Sequence, residues 1–242
     1  MSALDQQPIG QIVAQDLNTA KVFERHGMDY CCHGHQPLAA ACQTHGVALE
    51  QVKAELAAAA QTKDALLPDA NAMAIDELAR YIVATHHVFT KQILPSIATH
   101  FTAVVRAHSE NHPELPAQQE AFAALHAELD MHLQKEERVL FPYIEAIVRA
   151  ERAGQPRPVA GFGTVNAPIA AMISEHETAG AILDKLHAET NGFQPPADAC
   201  NTYRLLFKEL GDLEQDLHRH IALENYLLFP KAIALEAKLQ PA

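Results

Sequence analysis

Residues 132–142 read HLQKEERVLFP and residues 220–230 read HIALENYLLFP. Each stretch sets a histidine four positions before a glutamate and closes on Leu-Phe-Pro at the same offset. A helical turn takes about 3.6 residues, so positions i and i+4 share a face. His132 and Glu136 therefore point the same way, as do His220 and Glu224. An imidazole and a carboxylate side by side can grip one metal ion, and two such pairs facing each other across a bundle can grip two. The repeat reaches upstream: His87 lies 45 residues before His132, and His176 lies 44 before His220. Four imidazoles and two carboxylates suit iron or manganese better than magnesium or calcium, which prefer all-oxygen shells.

A single His-x-x-x-Glu would carry little weight, because an i,i+4 pair often only supports its helix. With 15 histidines in the chain, a lone one would carry less. The doubling decides for the metal. Histidines and glutamates beside Leu-Phe on inward faces cost about 2–7 kcal/mol each if buried without partners, so they must be paired or metal-bound. His108 stands 21 residues after His87, about 31 Å along one helix at 1.5 Å per residue; unless the helix breaks at Pro95 it is no direct ligand, and it reads as a residue at the helix end or one supporting a ligand. His86 is the alternative to His87 if the register slips by one. His126 and His218 should face elsewhere.

These side chains need long helices to hold them. Alanine is abundant and the 10 glycines are few, which favours helix. Ile75, Leu78, Ile82, Phe89, Ile93 and Ile97 mark a first long helix from 75 to about 105, with a kink expected at Pro95. A second runs from about 117 to 150, a third from about 168 to 189 and a fourth from about 199 to 239. Met172, Ile173, Leu183 and Leu186 are expected in the core. Pro142 and Pro230 read as paired kinks. Ahead of these, residues 1–65 form a small helical N-terminal domain, with Asn18-Thr19 as a cap between two short helices. Residues 61–72, with Pro68, read as the linker. The expected fold is all-α: an up-down-up-down four-helix bundle over residues 73–240 plus that appendage.

The N-terminal domain carries HGMDYCCHGHQPL, with Cys31 and Cys32 adjacent. A redox, metal-handling or mixed-disulfide role competes with two reduced thiols packed in a turn. Cys42 and Cys200 read as structural. Four cysteines are too few for a disulfide scaffold in 242 residues, so reduced thiols in the cytoplasm are expected. A formal charge of −12 and no Lys/Arg cluster argue against nucleic acid. The first 16 residues lack a basic start and an apolar core, so no secretory signal is expected, and no apolar run suggests a membrane helix. At about 65 residues the appendage has a marginal core, so it leans on the bundle or on a copy of itself.

MDYCC, the His87 region ending in QILP, HLQKEERVLFP, SEHETAG and HIALENYLLFP together resemble the bacterial RIC (repair of iron centres) family. Those are hemerythrin-like di-iron proteins that restore iron–sulfur clusters after nitrosative or oxidative stress. The resemblance spans nearly the whole chain. It implies two non-haem iron ions with oxo or hydroxo and carboxylate bridges. It implies terminal ligation by His87, His132, His176 and His220, with Glu136 and Glu224 bridging. Cys31 and Cys32 match the family's vicinal cysteines and are the candidate catalytic residues, although His33-Gly34 stands where the family usually has Gly-Gly. Implied partners are damaged iron–sulfur proteins, nitric oxide or another small ligand, and a second copy through the N-terminal domain. Iron donation or nitric oxide reduction is the implied activity. The alternative is a hemerythrin-type sensor or carrier of nitric oxide or oxygen.

Overall fold

The computed structural model describes residues 2–61 and 69–239. Most of the linker reading, Pro68 included, lies outside the described residues. The described residues form helices and turns, with one isolated antiparallel bridge between Pro8 and Pro37. The helices are α1 (Ile9–Gln15), α2 (Ala20–Arg25), α3 (Leu38–Thr44), α4 (Leu49–Gln61), α5 (Ile75–Ile82), α6 (Val88–His108), α7 (Leu115–Lys135), α8 (Phe141–Arg152), α9 (Asn166–Glu189), α10 (Asn201–Leu223) and α11 (Phe229–Lys238). Among the described residues, no helix is long and apolar enough to cross a membrane.

The chain divides into two compact units, Met1–Arg80 with Tyr143–Asn166 and His218–Ala242, and Tyr81–Pro142 with Ala167–Leu217. The second unit is a four-helix body. Ile93, Leu94, Ile97, Phe101 and Val104 of α6 share one core with Leu115, Phe122, Leu125 and Leu129 of α7, Leu183 and Leu186 of α9, and Leu206, Leu210, Leu213 and Leu217 of α10. From Leu94, Phe122 and Leu206 onward the spacings are threes and fours, the stripe an inward helix face requires. The turn at 109–114 sends α7 back along α6, the antiparallel pairing of an up-down bundle. Ile173, expected in the core, is 37% exposed. The buried face of α9 runs through Met172, His176, Ala179 and Leu183, and Ile173 lies about 100° away from it. After α9, Asn191, Gly192 and Phe193 all take positive φ. The Thr190 hydroxyl, which donates to the Leu186 carbonyl at 2.7 Å, accepts the Phe193 amide at 3.1 Å and holds this tight reversal.

In the first unit, α1 to α4 surround Ile9, Val13, Leu17, Val22, Phe23, Leu38 and Val52, all buried. The cap between α1 and α2 is Asp16 rather than Asn18-Thr19: its carboxylate accepts the Asn18 amide at 3.0 Å and opens a 3₁₀ turn over Leu17–Thr19. An aspartate just ahead of the turn reaches its second amide, as an N-cap should. Asp76 of α5 receives Arg80 at 3.1 Å and Arg152 of α8 at 2.9 and 3.1 Å. Glu236 of α11 is buried, taking the Tyr143 hydroxyl at 2.6 Å and the Val165 amide at 3.0 Å.

Three π-helical turns interrupt otherwise α-helical runs, at Val83–His87, Glu136–Leu140 and Glu224–Leu228. The second and third end two residues before Pro142 and Pro230. A proline in a helix lacks an amide and crowds the carbonyl four residues back, and a widened turn just ahead of it absorbs that conflict. The first long helix, by contrast, runs on through Pro95 within α6, and its departure from α geometry sits at Val83–His87.

Candidate metal centre

Each π turn carries one of the singled-out residues at its edge: His87 ends the first, Glu136 opens the second and Glu224 opens the third. Inserted π turns recur at functional sites because they re-aim a side chain without breaking the helix.

The second unit brings together His87, His132, Glu136 and His176, with at most 4% exposure for any of them. His87 Nε2 and His132 Nε2 both stand 3.4 Å from the same Glu136 oxygen, Oε2. His176 Nε2 lies 3.1 Å from His132 Nε2, and the ligand atoms of His132, Glu136 and His176 are all within 4.8 Å of one another. Phe141 stacks on the His87 ring, with centroids 5.6 Å apart, and fixes its plane.

The far nitrogen of each ring decides the tautomer. His87 Nδ1 is 2.8 Å from Glu137, and His132 Nδ1 is 3.0 Å from Glu175. A carboxylate accepts only, so each Nδ1 must donate, and in a neutral ring the Nε2 then presents its lone pair. Those lone pairs face Glu136 Oε2, which is an arrangement of acceptors that calls for a cation. Two atoms bound to one ion at about 2.1 Å, at angles between square and tetrahedral, stand about 3.0–3.4 Å apart. The observed separations fall in that range, and the donor set fits a transition metal.

The supporting carboxylates are themselves held. Lys91 Nζ lies 2.5 Å from Glu137 Oε1, and Lys135 Nζ lies 2.6 Å from Glu175 Oε1. Burial pushes both carboxyls up, but the lysine and histidine beside each more than offset this, and both end below the usual range. The sequence reading missed this pair. A lysine three or four residues after a histidine was the available signal, at His87/Lys91 and His132/Lys135.

In the first unit, His220 Nε2 is 3.0 Å from Glu224 Oε1, one turn along the helix, and the two residues are 1% and 0% exposed. Cys31 is buried and Cys32 half-buried in the turn after α2, with their sulfurs 3.5 Å apart. Burial, then the neighbouring Cys32 thiol and Asp29, push the Cys31 thiol well above its ordinary range. Cys42 is buried, as a structural thiol should be, whereas Cys200 is exposed.

Four further histidines make other contacts. His86, the alternative to His87, reaches Asp216 at 2.9 Å and meets the Tyr81 ring edge-on. His108 ends α6 against Tyr203, His126 pairs with Asp130 at 3.4 Å, and the His218 ring meets Tyr30.

Residues 97–232 match the family model described as the hemerythrin HHE cation-binding domain, and residues 5–60 match ScdA_N, a domain of unknown function. The iron–sulfur cluster repair protein YtfE of Cronobacter sakazakii is 34% identical over 235 residues, covering 97% of this chain and 99% of that protein. The YtfE proteins of Salmonella newport and Salmonella agona are each 33% identical over 231 residues, covering 95% of this chain and 98% of theirs. The chain therefore belongs to the RIC family of hemerythrin-like proteins.

Proposed function

We propose that this protein repairs iron–sulfur clusters damaged by nitrosative or oxidative stress, through a non-haem di-iron centre. His87, His132, His176 and His220 are its terminal ligands and Glu136 and Glu224 its bridges, with an oxo or hydroxo bridge completing the pair. The observation that carries this reading is the double approach of His87 Nε2 and His132 Nε2 to one oxygen of Glu136, 3.4 Å each, with both Nδ1 atoms tied to carboxylates. Support for including the second pair comes from the repeat: Glu136 and Glu224 each open a π turn that ends two residues before a proline.

Bound there, two irons would supply ligand exchange and one-electron chemistry. The protein's own share is to hold the ring planes, fix both histidine tautomers and keep bulk water away from a buried carboxylate. Iron donation to a client cluster and reaction with nitric oxide are the two uses this arrangement supports. The clients are damaged iron–sulfur proteins of the cytoplasm. Residues 1–65 act as the cysteine-bearing module, which also joins two copies, and residues 73–240 act as the di-iron module.

Metal analysis with optical and EPR spectra on anaerobically purified protein, before and after nitric oxide, tests the reading. Two coupled irons per chain, lost in His132→Ala and His220→Ala, with repair of a damaged client cluster, are expected. A single zinc ion, or wild-type repair by Glu136→Leu/Glu224→Leu, would overturn it.

A further inference from the structure

The first unit carries a further cluster of metal-ligating side chains, in the turn after α2. The ligand atoms of Asp29, Cys31 and Cys32 fall within 4.8 Å of one another. The two sulfurs are 3.5 Å apart. An ion bound to two thiolates at about 2.3 Å with tetrahedral angles sets its sulfurs about 3.8 Å apart, so the pair already has close to a chelating bite.

The turn that presents them is held from outside. Asp29 Oδ1 accepts the Cys31 and Cys32 amides at 2.8 and 3.0 Å, and Oδ2 accepts the His33 amide at 3.1 Å and faces His33 Nδ1 at 2.6 Å. With both oxygens so engaged, Asp29 shapes the turn and lends it negative charge, and the sulfurs are the ligands. The far side of the turn is clamped to α1 by Gly10 N–H to the Gly34 carbonyl at 2.9 Å and Ile9 N–H to the Gln36 carbonyl at 3.0 Å. Tyr226 lies over Gly10 and Gly34, where a Cβ would come within 2.2 and 2.8 Å of its ring and hydroxyl oxygen. A turn braced on two sides keeps its thiols together without a bond between them. Cys31 is buried while Cys32 is half-buried, so the pair lies at the edge of the fold and not in its core.

We propose that Cys31 and Cys32 form a second cation site, which takes up a thiophilic divalent ion between two thiolates. That the ion is ferrous iron in transit rests on the repair function proposed above; the site itself does not. Binding forms two metal–sulfur bonds, breaks two S–H bonds and releases two protons to solvent, with no change of oxidation state. The carboxylate of Asp29 opposes ionisation of the thiols until a cation arrives and then stabilises the charge. Water, or a thiolate of the client, fills the remaining positions, so the ion is held loosely enough to pass on.

The test is anaerobic titration of the reduced full-length protein with Co(II). Sulfur-to-cobalt charge-transfer absorption is expected for one ion per chain, with about two protons released. The band is expected to vanish in Cys31→Ser/Cys32→Ser, to need at least tenfold more Co(II) in Cys32→Ser, and to persist in Cys42→Ser and Cys200→Ser. Circular dichroism of the serine variants shows that the fold is kept. No band in the wild type, or a band that survives the double serine change, would overturn the proposal. Imidazole and carboxylate ligands give no such band, so the two sites report separately. A loaded bundle without the sulfur band leaves the repair reading standing and removes this one. A sulfur band with no metal in the bundle does the reverse.

Discussion

His132 and Glu175 stand 3.0 Å apart, and this contact settles which nitrogen of the imidazole faces Glu136. Lys135 holds the other oxygen of Glu175 at 2.6 Å, so the carboxylate cannot turn away. Glu137 likewise meets both a histidine and a lysine, His87 and Lys91, but both on its one oxygen Oε1. Removing such support commonly costs about 10–100-fold in metal affinity. Glu175→Gln and Glu137→Gln are therefore each expected to weaken iron binding by about that factor. The bundle should still fold, because neither glutamate is part of the apolar core. Competition with a chelator measures the affinity, and equal retention of iron in wild type and variants would show that the tautomers are fixed by something else.

Asp76 gives a prediction about acid stability. Burial works to raise its carboxyl, but Arg152 and Arg80 outweigh burial and hold it below the ordinary value of 3.8. The folded carboxyl thus releases its proton more readily than the unfolded one. Its contribution is present above about pH 4 and is lost as pH falls through the lower folded value. Both guanidiniums are half exposed, so the pairing contributes about 1 kcal/mol. Asp76→Asn should lower the melting temperature at pH 7 by a few degrees and flatten the stability loss below pH 4. Melting curves from pH 2.5 to 7 would show parallel profiles instead if the pairing contributed nothing.

The part of this site that was legible in the sequence is the part written within single helices. His132 and Glu136, or His220 and Glu224, share a face by period alone, and the doubling of the motif gave the metal its weight. Contacts between helices were not legible. Glu137 and Glu175 are ordinary helical glutamates until the fold brings them to His87 and His132. The π turns were hidden for a related reason: one extra residue per turn looks the same in a hydrophobic pattern as a small drift in phase. Pro142 and Pro230 marked the conflict correctly, and the helix answered it with a wider turn ahead of each. Ile173 was misread because one position of phase separates it from the buried stripe of α9.

Glu236 illustrates a buried acid that does no metal chemistry. It takes the Tyr143 hydroxyl at 2.6 Å and the Val165 amide at 3.0 and 3.1 Å, and all three residues are buried. Burial and the adjacent carboxylate push the Tyr143 hydroxyl up to about 12, so it remains a donor throughout the working range. Glu236→Leu leaves the Val165 amide without its acceptor and should cost about 2–3 kcal/mol. Tyr143→Phe removes one hydrogen bond to a charged group and should cost about 1.5–3 kcal/mol. Denaturant unfolding measures both. A larger loss for Tyr143→Phe than for Glu236→Leu would mean that the phenol, and not the carboxylate, organises this corner.

Gly10 and Tyr226 make the most specific steric prediction. An added Cβ at Gly10 would meet Tyr226 Cε2 at 2.2 Å, a separation no side chain tolerates, so the ring or α1 must move. The Gly10 amide is also tied to the Gly34 carbonyl at 2.9 Å, which limits how far α1 can shift. Gly10→Ala should therefore destabilise the protein by about 1–3 kcal/mol, the usual range for overpacking. Tyr226→Ala alone loses the ring's contacts with both glycines. In the Tyr226→Ala background the obstacle is gone, and Gly10→Ala should then cost almost nothing, since alanine suits a helix better than glycine. The double change is expected to be less destabilising than the sum of the single ones by at least about 1 kcal/mol, a coupling that a double-mutant cycle reads directly. Additive losses would place the clash elsewhere. Because Tyr226 follows Glu224 by two residues, iron content measured on the same three variants shows whether a shifted ring also disturbs that glutamate.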